Sequence, residues 1–306
     1  MTAFQPFTII VPGSTANFGP GFDSVGMAVN RYLTLSVTPA DTWHFKPLSG
    51  ELAGIPHDES NLIYTIAEWI AGEYGKTLPQ GARVEMESTI PLSRGFGSSA
   101  SAIVAGIELA DQLLNLALTD EEKTRFASIR EGHPDNVAPS VCGGLIIGSH
   151  RSDSTDIIKA GIPEASFIAV IPSYEVSTSS SRGTLPETMS HAEAVQASSV
   201  SNVLVAAILR NDWALAGKMM AEDHFHRPYR IAHIPEWKKA EDAAAGVPVH
   251  GVTLSGAGPI MLFVMPAGEE KEVLTALNHT FPDHTVEEVK PDRQGVRTVP
   301  LEAPQT

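Results

Sequence analysis

The chain has 306 residues, of which 21 are lysine or arginine and 36 are aspartate or glutamate, so its formal net charge is −15. This acidic balance argues against a nucleic-acid-binding protein, which needs a basic surface. With 42% hydrophobic and 19% charged residues, the composition is that of an ordinary globular protein of one or two domains.

We expect a soluble cytoplasmic protein with no membrane partner. The longest continuous apolar runs, residues 143–148 and 260–265, fall far short of the roughly 20 residues that a membrane span needs. The first six residues lack the basic start and apolar core of a secretory signal. The single cysteine, Cys142, cannot form an internal disulfide, and the chain has no His-Glu-x-x-His pattern for zinc.

The first part of the chain predicts strands separated by a helix. Residues 7–11 are an apolar run that predicts a strand ending at Pro12, and residues 32–37 alternate with the period of two that is typical of a second strand. Ser60 is placed to cap a helix with apolar residues at a 3.6-residue period. Residues 83–87 alternate again and predict a third strand.

The middle of the chain predicts two helices and a buried strand. Apolar residues from 102 to 116 predict a long helix that begins inside a Gly/Ser cluster. Thr119 and Glu122 form a capping box for the next helix. The apolar stretch 141–148 predicts a buried strand.

A domain boundary is predicted near residue 160, where the polar segment 151–156 precedes a new apolar strand from Phe167. We therefore expect one domain over residues 1–160 and a second over 161–306. Beyond this boundary, Ser190 and Glu193 form another capping box, and two apolar strands flank a glycine turn near residue 256. Strands interleaved with helices in both halves predict an α/β or α+β class.

The strongest functional signal is the segment Pro91-Leu92-Ser93-Arg94-Gly95-Phe96-Gly97-Ser98-Ser99-Ala100-Ser101, which we call the glycine–serine loop. It lies between a predicted strand and a predicted helix. Glycines let several backbone N–H groups point at one ligand, and a helix N-terminus adds positive charge. The loop therefore predicts a phosphate site, although a Gly/Ser-rich helix start without a ligand has the same composition.

Two other phosphate-binding motifs fit this loop less well. The Walker pattern needs a lysine, and none lies near the loop. Residues 95–100 do satisfy Gly-x-Gly-x-x-Ala, the dinucleotide fingerprint, with Asp111 and Asp120 further on. In a dinucleotide fold the acidic residue ends the next strand, whereas Asp120 lies in the first turn of a capped helix.

Two further loops hold polar residues among turn formers. Residues 12–23 follow the first strand and contain Asn17 and Asp23 between glycines and prolines, which can direct these side chains into a cleft. Residues 252–259 read Val-Thr-Leu-Ser-Gly-Ala-Gly-Pro, which fits a hairpin turn or a second backbone anion site.

These three loops, in this order and at these separations, resemble the three signature motifs of the GHMP small-molecule kinases. The resemblance extends from residue 12 to 263, and segments 131–139 and 176–178 look specific to the homoserine kinases of that family. It implies an α+β fold with an N-terminal ribosomal-protein-S5-like domain and a C-terminal ferredoxin-like sandwich. It also implies ATP, Mg²⁺, the substrate L-homoserine and a homodimer.

The resemblance further implies roles for individual residues. The glycine–serine loop would bind the phosphates of ATP, with the side chain of Phe96, usually leucine in the family, facing away from them. Asn61 would lie near the adenine, and Ser98 and Glu131 would hold Mg²⁺. The residues that would surround the amino acid are Asn17, Asp23, His133, Arg182 and Arg230.

These residue types suit a zwitterionic substrate with a hydroxyl group. Arg182 and Arg230 can hold a carboxylate, and Asp23 with Asn17 can hold an ammonium group. Several relatives have an aspartate base where this chain has Asn136, which cannot accept a proton. Because phosphoryl transfer has a loose transition state, we expect positioning and Mg²⁺ to dominate, with no side-chain base.

Other functions remain open at this point. The same motifs fit another GHMP kinase that acts on a different small alcohol, or a nucleotide or sugar sensor that has lost turnover. A dehydrogenase with the dinucleotide fingerprint is a third alternative.

Overall fold

The computed structural model describes residues 4–301, and its strands form two sheets with helices packed against them. The predicted α+β class is confirmed. In chain order the elements are β1 (Phe7–Ala16), β2 (Val25–Pro39), β3 (His44–Pro47), α1 (Leu62–Glu73), β4 (Ala82–Ser88), α2 (Ser98–Leu114), α3 (Asp120–Glu131), α4 (Val137–Cys142), β5 (Leu145–His150), β6 (Thr155–Gly161), β7 (Ser166–Ile171), α5 (Thr178–Arg182), α6 (His191–Leu209), α7 (Trp213–Met220), α8 (Arg227–Arg230), α9 (Trp237–Ala244), β8 (Gly251–Leu254), β9 (Met261–Met265), α10 (Glu270–Thr280), β10 (Thr285–Val289) and β11 (Arg297–Pro300).

The first sheet has the order β11-β1-β2-β4-β3, with β5 pairing β2 and β6 pairing β5. All its pairs are antiparallel except β3 with β4. The alternation predicted for residues 32–37 is confirmed, because Leu33, Leu35 and Val37 are buried and the residues between them are only partly buried. Helices α1 and α2 pack together beside this sheet.

The predicted end of the first strand at Pro12 is wrong. Strand β1 continues to Ala16, because a register shift between Pro12 and Gly13 lets its pairing with β2 resume. Pairing with β11 reaches only Ile10, so the proline lies beyond that ladder, where its missing N–H group is tolerated.

Two other local predictions need correction. The stretch 141–148 is not one strand, because α4 occupies its start and Gly143 and Gly144, with φ of 73° and 67°, turn the chain into β5. The first helix is capped by Asn61 instead of Ser60. The Asn61 side chain accepts a hydrogen bond from the N–H of Ile63 at 3.0 Å, whereas the Ser60 hydroxyl donates to Asp58.

The second sheet is antiparallel, in the order β10-β7-β9-β8. Successive residues of β7 enter two different cores. Phe167 and Ala169 pack with the helices and strands of the first sheet, and Ile168 and Val170 pack with α9 and α10. The sheet therefore joins both halves of the molecule.

The chain crosses between the two sheets more than once. Strands β1 to β6 all belong to the first sheet, and β6 ends at Gly161. The next strand, β7, is the first strand of the second sheet. Near the C-terminus, β11 returns to the first sheet and pairs with β1. The domain division between residues 160 and 161 stays a prediction. Strand β11 belongs to the second half of the chain by sequence but to the first sheet by pairing.

Helix α6 is long and apolar enough to cross a membrane by length and composition alone, with a mean hydropathy of 1.4. It begins at the predicted capping box, which is confirmed by the reciprocal hydrogen bonds of Ser190 and Glu193. Only 22% of its apolar stretch is buried, so most of this helix lies on the surface of the monomer.

Candidate active site

The glycine–serine loop leads into a helix start without a side-chain cap. Gly97 is the N-cap of α2, with φ of 66°, and offers no side chain. Within residues 4–301, the backbone N–H groups of Ser98, Ser99 and Ala100 donate to no protein acceptor. By contrast, side-chain oxygens cap α1, α3 and α6. Free N–H groups at the positive end of a 17-residue helix form a site for an anion.

The third loop holds the glycine–serine loop in place. The Ser255 hydroxyl donates to the carbonyl oxygen of Gly95 at 2.6 Å and contacts the Thr15 hydroxyl at 2.8 Å. A Cβ atom added to Gly95, where φ is 109°, would lie 2.3 Å from the Ser255 carbonyl oxygen. The N–H of Gly256 donates to the carbonyl oxygen of Ala16. This loop therefore clamps the end of β1 to the proposed phosphate site.

Two cavities meet at the start of α2. One is polar, with a volume of about 120 Å³, and the other is largely apolar, with a volume of about 260 Å³. Ser98 and Ser99 line both. The apolar cavity is lined by residues that include Leu33, Leu52 and Met86. The free N–H groups of α2 thus lie between an apolar pocket and a polar one.

Most of the predicted ATP residues line these cavities, although their roles remain predictions. Those that line the polar cavity are Ser93, Gly95, Gly97, Ser98, Ser99 and Ala100. Those that line the apolar cavity are Asn61, Leu92, Ser98, Ser99 and Ser101.

Pro91, Arg94 and Phe96 do not line either cavity. Arg94 points toward the second half of the chain, where its Nη2 donates to the carbonyl oxygen of Ser173 at 3.1 Å. The Phe96 side chain is fully buried in the core, and its carbonyl oxygen accepts from the N–H of Ser14. The Phe96 ring thus faces away from the cavities, as expected for a position where the family usually has leucine.

Asn17 and Asp23 lie at the two ends of a tight turn between β1 and β2. Both have a positive φ, 78° and 54°, which asparagine and aspartate tolerate better than most residues. The Asn17 amide group is committed to the protein, because its Nδ2 donates to the carbonyl oxygen of Gly256 and its Oδ1 accepts from the N–H of Asp23. Asn17 therefore orients the Asp23 carboxylate at the wall of the polar cavity.

Asp23 and Arg182 face each other across this cavity. The Arg182 guanidinium donates to both carboxylate oxygens of Asp23, with Nη1–Oδ2 at 3.0 Å and Nη2–Oδ1 at 2.7 Å. This hydrogen bonding raises the pKa of Arg182 against the opposing effect of its burial. The two residues are brought together as predicted, but they bind each other.

Arg230 is buried, with only 3% of its surface exposed. Its Nη1 donates to the carbonyl oxygen of Gly256 at 2.9 Å, while its Nε has no hydrogen-bond partner within residues 4–301. Burial and the positive charge of Arg182 lower the pKa of Arg230 to about 10, so the group is still charged at neutral pH. Arg230 lines the polar cavity, and a buried cation at a cavity wall is suited to an anionic ligand.

The end of α3 supplies the remaining polar residues. Glu131 lines the polar cavity, and burial raises its pKa. Burial opposes a charge on His133, but its hydrogen bond to Asp135, at 2.5 Å, and the nearby carboxylates outweigh this effect and raise its pKa to about 9. Asn136 accepts a hydrogen bond at its Oδ1 from the Ser14 hydroxyl at 3.0 Å.

Two residues of this cavity were missed by the sequence reasoning. Asp135 pairs with His133, and one potential ligand atom each from Asp23, His133 and Asp135 lie within 4.8 Å of one another. The Phe22 ring lies under two guanidinium groups, 5.5 Å from Arg182 and 5.2 Å from Arg230. Phe22 could have been found from the sequence, because it is an aromatic residue inside a turn rich in glycine and proline.

Comparison with known proteins identifies the family. The models of the GHMP kinases N terminal domain and the GHMP kinases C terminal domain match residues 61–144 and 204–283. A homoserine kinase from Halalkalibacterium halodurans is 52% identical over 95% of this chain and 94% of its own length. The chain belongs to the GHMP kinase family.

Other relatives agree with this assignment. A homoserine kinase from Bacillus velezensis is 51% identical over 90% of this chain and 89% of its own length. The crystal structure of a homoserine kinase from Cytophaga hutchinsonii has a TM-score of 0.84 at 26% identity, covering 98% of this chain and 99% of the other. A mevalonate kinase, at 15% identity and a TM-score of 0.70, shares the fold.

Membership in the GHMP kinases excludes the dehydrogenase alternative. A dinucleotide-binding fold needs a parallel sheet, whereas both sheets of this kinase are antiparallel apart from the pair β3–β4. The Gly-x-Gly-x-x-Ala pattern therefore occurs here on an unrelated fold.

Proposed function

We propose that this GHMP kinase transfers the γ-phosphoryl group of ATP to the side-chain hydroxyl of L-homoserine. The observation that carries the proposal is that one cavity combines an anion site of free backbone N–H groups with opposed cationic and anionic side chains. The homoserine kinases at 52% and 51% identity support the choice of substrate.

The two cavities suit different parts of ATP, one the base and the other the phosphates. The apolar cavity suits a flat purine ring, and Asn61 lies in its wall. The N–H groups of Ser98, Ser99 and Ala100 suit the phosphates, because they need no lysine to present positive charge. The polar cavity beyond them then receives the terminal phosphate.

The residues at the polar cavity also fit Mg²⁺. Ser98 and Glu131 both line it, and a hydroxyl and a carboxylate supply the oxygen ligands that Mg²⁺ prefers. Burial disfavours the charged form of Glu131, so a bound cation would stabilise this carboxylate. When bound, Mg²⁺ neutralises the charge on the phosphate oxygens.

Homoserine presents a carboxylate, an ammonium group and a hydroxyl. Arg230 offers a buried cation at the cavity wall, and Arg182 offers a second cation for the carboxylate. Asp23, oriented by Asn17, offers an anion for the ammonium group, and the His133–Asp135 pair closes the same wall. Each charge of the substrate therefore has an opposite charge in the cavity.

The reaction needs no side-chain base. The homoserine oxygen forms a bond to the γ-phosphorus, the bond to the β–γ bridging oxygen breaks, ADP leaves, and the hydroxyl proton passes to a phosphate oxygen or to solvent. Asn136 stands at the position where several relatives have a base, and its Oδ1 accepts a hydrogen bond from the Ser14 hydroxyl. Its role is to hold the end of β1 against the start of α4.

A coupled assay of ADP release with homoserine, mevalonate and shikimate tests this proposal. We expect turnover with homoserine and little with the other two alcohols. Turnover with another alcohol in preference would identify a different GHMP kinase. Tight ATP binding without ADP release for any alcohol would identify a sensor.

We also propose that the protein is a soluble, cytoplasmic homodimer. The dimer is supported by a surface seam on α6, where exposed residues alternate at spacings of three and four: Ala192, Val195, Ser199, Asn202, Ala206 and Leu209. This spacing is typical of a face on which a second helix packs. Sedimentation should show a dimer that Val195→Glu converts to a monomer, and a monomeric wild-type protein would contradict this.

A further inference from the structure

A buried histidine lies behind the proposed carboxylate site. His226 immediately precedes α8 and has no exposed surface. Its Nε2 lies 3.0 Å from the carbonyl oxygen of Gly19 and 3.1 Å from Oδ2 of Asp223. Both neighbours can only accept a hydrogen bond, so the proton is on Nε2. Burial lowers the pKa of His226, which keeps the ring neutral and leaves a lone pair on Nδ1.

That lone pair faces Arg230. The Nδ1 of His226 lies 3.3 Å from Nη1 of Arg230, and the same Nη1 donates to the carbonyl oxygen of Gly256 at 2.9 Å. Both hydrogens of Nη1 are thus used by the protein. Nε is buried without a partner, whereas Nη2 donates to no acceptor within residues 4–301, so Nη2 is the nitrogen that remains for a ligand at the cavity wall. A charged N–H donor at this position suits an oxygen of a carboxylate.

The histidine is itself fixed from two sides. Asp223 accepts hydrogen bonds from the N–H groups of Phe225 and Arg227, so its position beside the ring is set by the backbone before α8. On the other side, Phe22 stacks on His226 with ring centroids 5.2 Å apart and an angle of 24°. Gly19 and Phe22 both belong to the turn between Asn17 and Asp23.

We propose that His226 is a positioning residue, which holds the Arg230 guanidinium with its Nη2 toward the substrate carboxylate and connects this group to the turn that carries Asn17 and Asp23. The inference rests on the proposed function, because it needs an amino acid carboxylate at Arg230. His226 contacts no reacting atom. Its effect is on substrate affinity, through Arg230.

Two substitutions test the Nε2 contact and the Nδ1 contact of the imidazole separately. In His226→Gln the amide nitrogen can reach the Nε2 position and keep the contact with Gly19, but the acceptor for Arg230 is lost. In His226→Asn the amide oxygen can take the Nδ1 position and keep the contact with Arg230. We expect His226→Gln to raise the KM for homoserine about tenfold, with kcat and the KM for ATP within about twofold of the wild type. His226→Asn should restore most of the affinity.

A double-mutant cycle shows whether the effect passes through Arg230. In an Arg230→Met background, His226→Gln should raise the KM for homoserine no further. With 3-aminopropan-1-ol, which has no carboxylate, His226→Gln should change nothing. An effect that persists in Arg230→Met, or that raises the KM for ATP equally, would overturn the proposal.

A measurement on the wild-type protein does not depend on how the variants fold. A long-range ¹H–¹⁵N spectrum at neutral pH should show His226 as the neutral tautomer protonated on Nε2, and a ring protonated on Nδ1 would overturn the proposal. Failure of the proposed function would look different from failure of the His226 proposal. If the proposed function is wrong, the wild type will not phosphorylate homoserine, or Arg230→Met will leave the KM for homoserine unchanged.

Discussion

The carboxylate of Asp23 and the guanidinium of Arg182 form a two-point ion pair, at 3.0 Å and 2.7 Å, across the cavity in which each is proposed to bind an opposite end of one amino acid. A zwitterion can replace both halves of this pair, because its carboxylate can bind Arg182 while its ammonium group binds Asp23. A ligand with a single charge leaves one of the two residues without a partner. The pair therefore selects for ligands that carry both charges.

Asp23→Asn tests this relationship. We expect the KM for homoserine to rise at least tenfold, because the proposed ammonium contact is lost, and the KM for ATP to stay unchanged, because Asp23 is not part of the proposed phosphate site. The free energy of unfolding should fall by less than about 1 kcal/mol, because the Arg182 and Asp23 side chains are 43% and 30% exposed. Steady-state kinetics and urea unfolding measure both quantities.

The matched control for this variant is Asp156→Asn, which breaks the exposed Arg151–Asp156 pair on the first sheet. It should change neither KM value. An equal rise in the KM for ATP and for homoserine in Asp23→Asn would show that Asp23 serves the fold of the loop and not the substrate.

Gly95→Ala should disable the proposed phosphate site. The new Cβ would lie 2.3 Å from the Ser255 carbonyl oxygen at a φ of 109°, so the loop must move. We expect a loss of about 3 kcal/mol in the free energy of unfolding and a large loss of ATP affinity. Calorimetric titration with ATP and thermal unfolding provide the test.

Gly72→Ala is the control, because nothing lies within 4 Å of a Cβ added at this position of α1. It should stabilise the protein by about 0.5–1 kcal/mol and leave ATP affinity unchanged. Normal ATP binding by a folded Gly95→Ala protein would place the triphosphate elsewhere.

Asn136→Ala tests the absence of a base. We expect kcat to fall by less than about tenfold, because loss of a general base costs about 10²–10⁴-fold. The pH profile of kcat should keep its shape in the variant. A hundredfold loss, together with the disappearance of a titrating limb seen in the wild type, would show that a base acts through this position.

His133 should make stability depend on pH. Its pKa in the folded protein is raised to about 9 from an ordinary 6.5, because the hydrogen bond to Asp135 and the nearby carboxylates outweigh its burial. The charged form is thus favoured by folding, so the contribution is fully present below about pH 6.5 and is lost as the pH rises through 9. Wild type should lose up to about 3 kcal/mol more over this range than His133→Gln.

Urea unfolding at pH 6 and pH 9.5 measures this difference, with His57→Gln, an exposed histidine, as the control. The control should follow the wild-type pH dependence. If His133→Gln also follows it, the His133–Asp135 pair does not stabilise the fold.

The features that the sequence predicted correctly are set by residues close together in the chain. The capping boxes of Thr119–Glu122 and Ser190–Glu193 formed as predicted, because each needs only four consecutive residues. The start of the long helix inside the glycine–serine loop is equally local. The α4 helix was missed because the apolar residues from 141 onward were interpreted as one buried strand. Pro139 is compatible with the helix, since a proline in the first turn removes no needed N–H group.

The features that the sequence could not predict depend on distant segments. Strand β11 pairs with β1 across almost the whole chain, and no local pattern marks that partner. The same holds for His226, whose ring joins Gly19 to Arg230 across more than 200 residues. The pairing of Asp23 with Arg182 is likewise visible only in three dimensions.

The central claim is that this kinase phosphorylates the hydroxyl of a free amino acid at the junction of the two cavities. The most direct test is ³¹P NMR of a mixture of the protein, ATP, Mg²⁺ and L-homoserine. The account predicts a new phosphomonoester signal coupled to the γ-methylene protons of homoserine, growing in equal amount with ADP. Formation of ADP with inorganic phosphate alone, or no reaction although ATP binds, would contradict it.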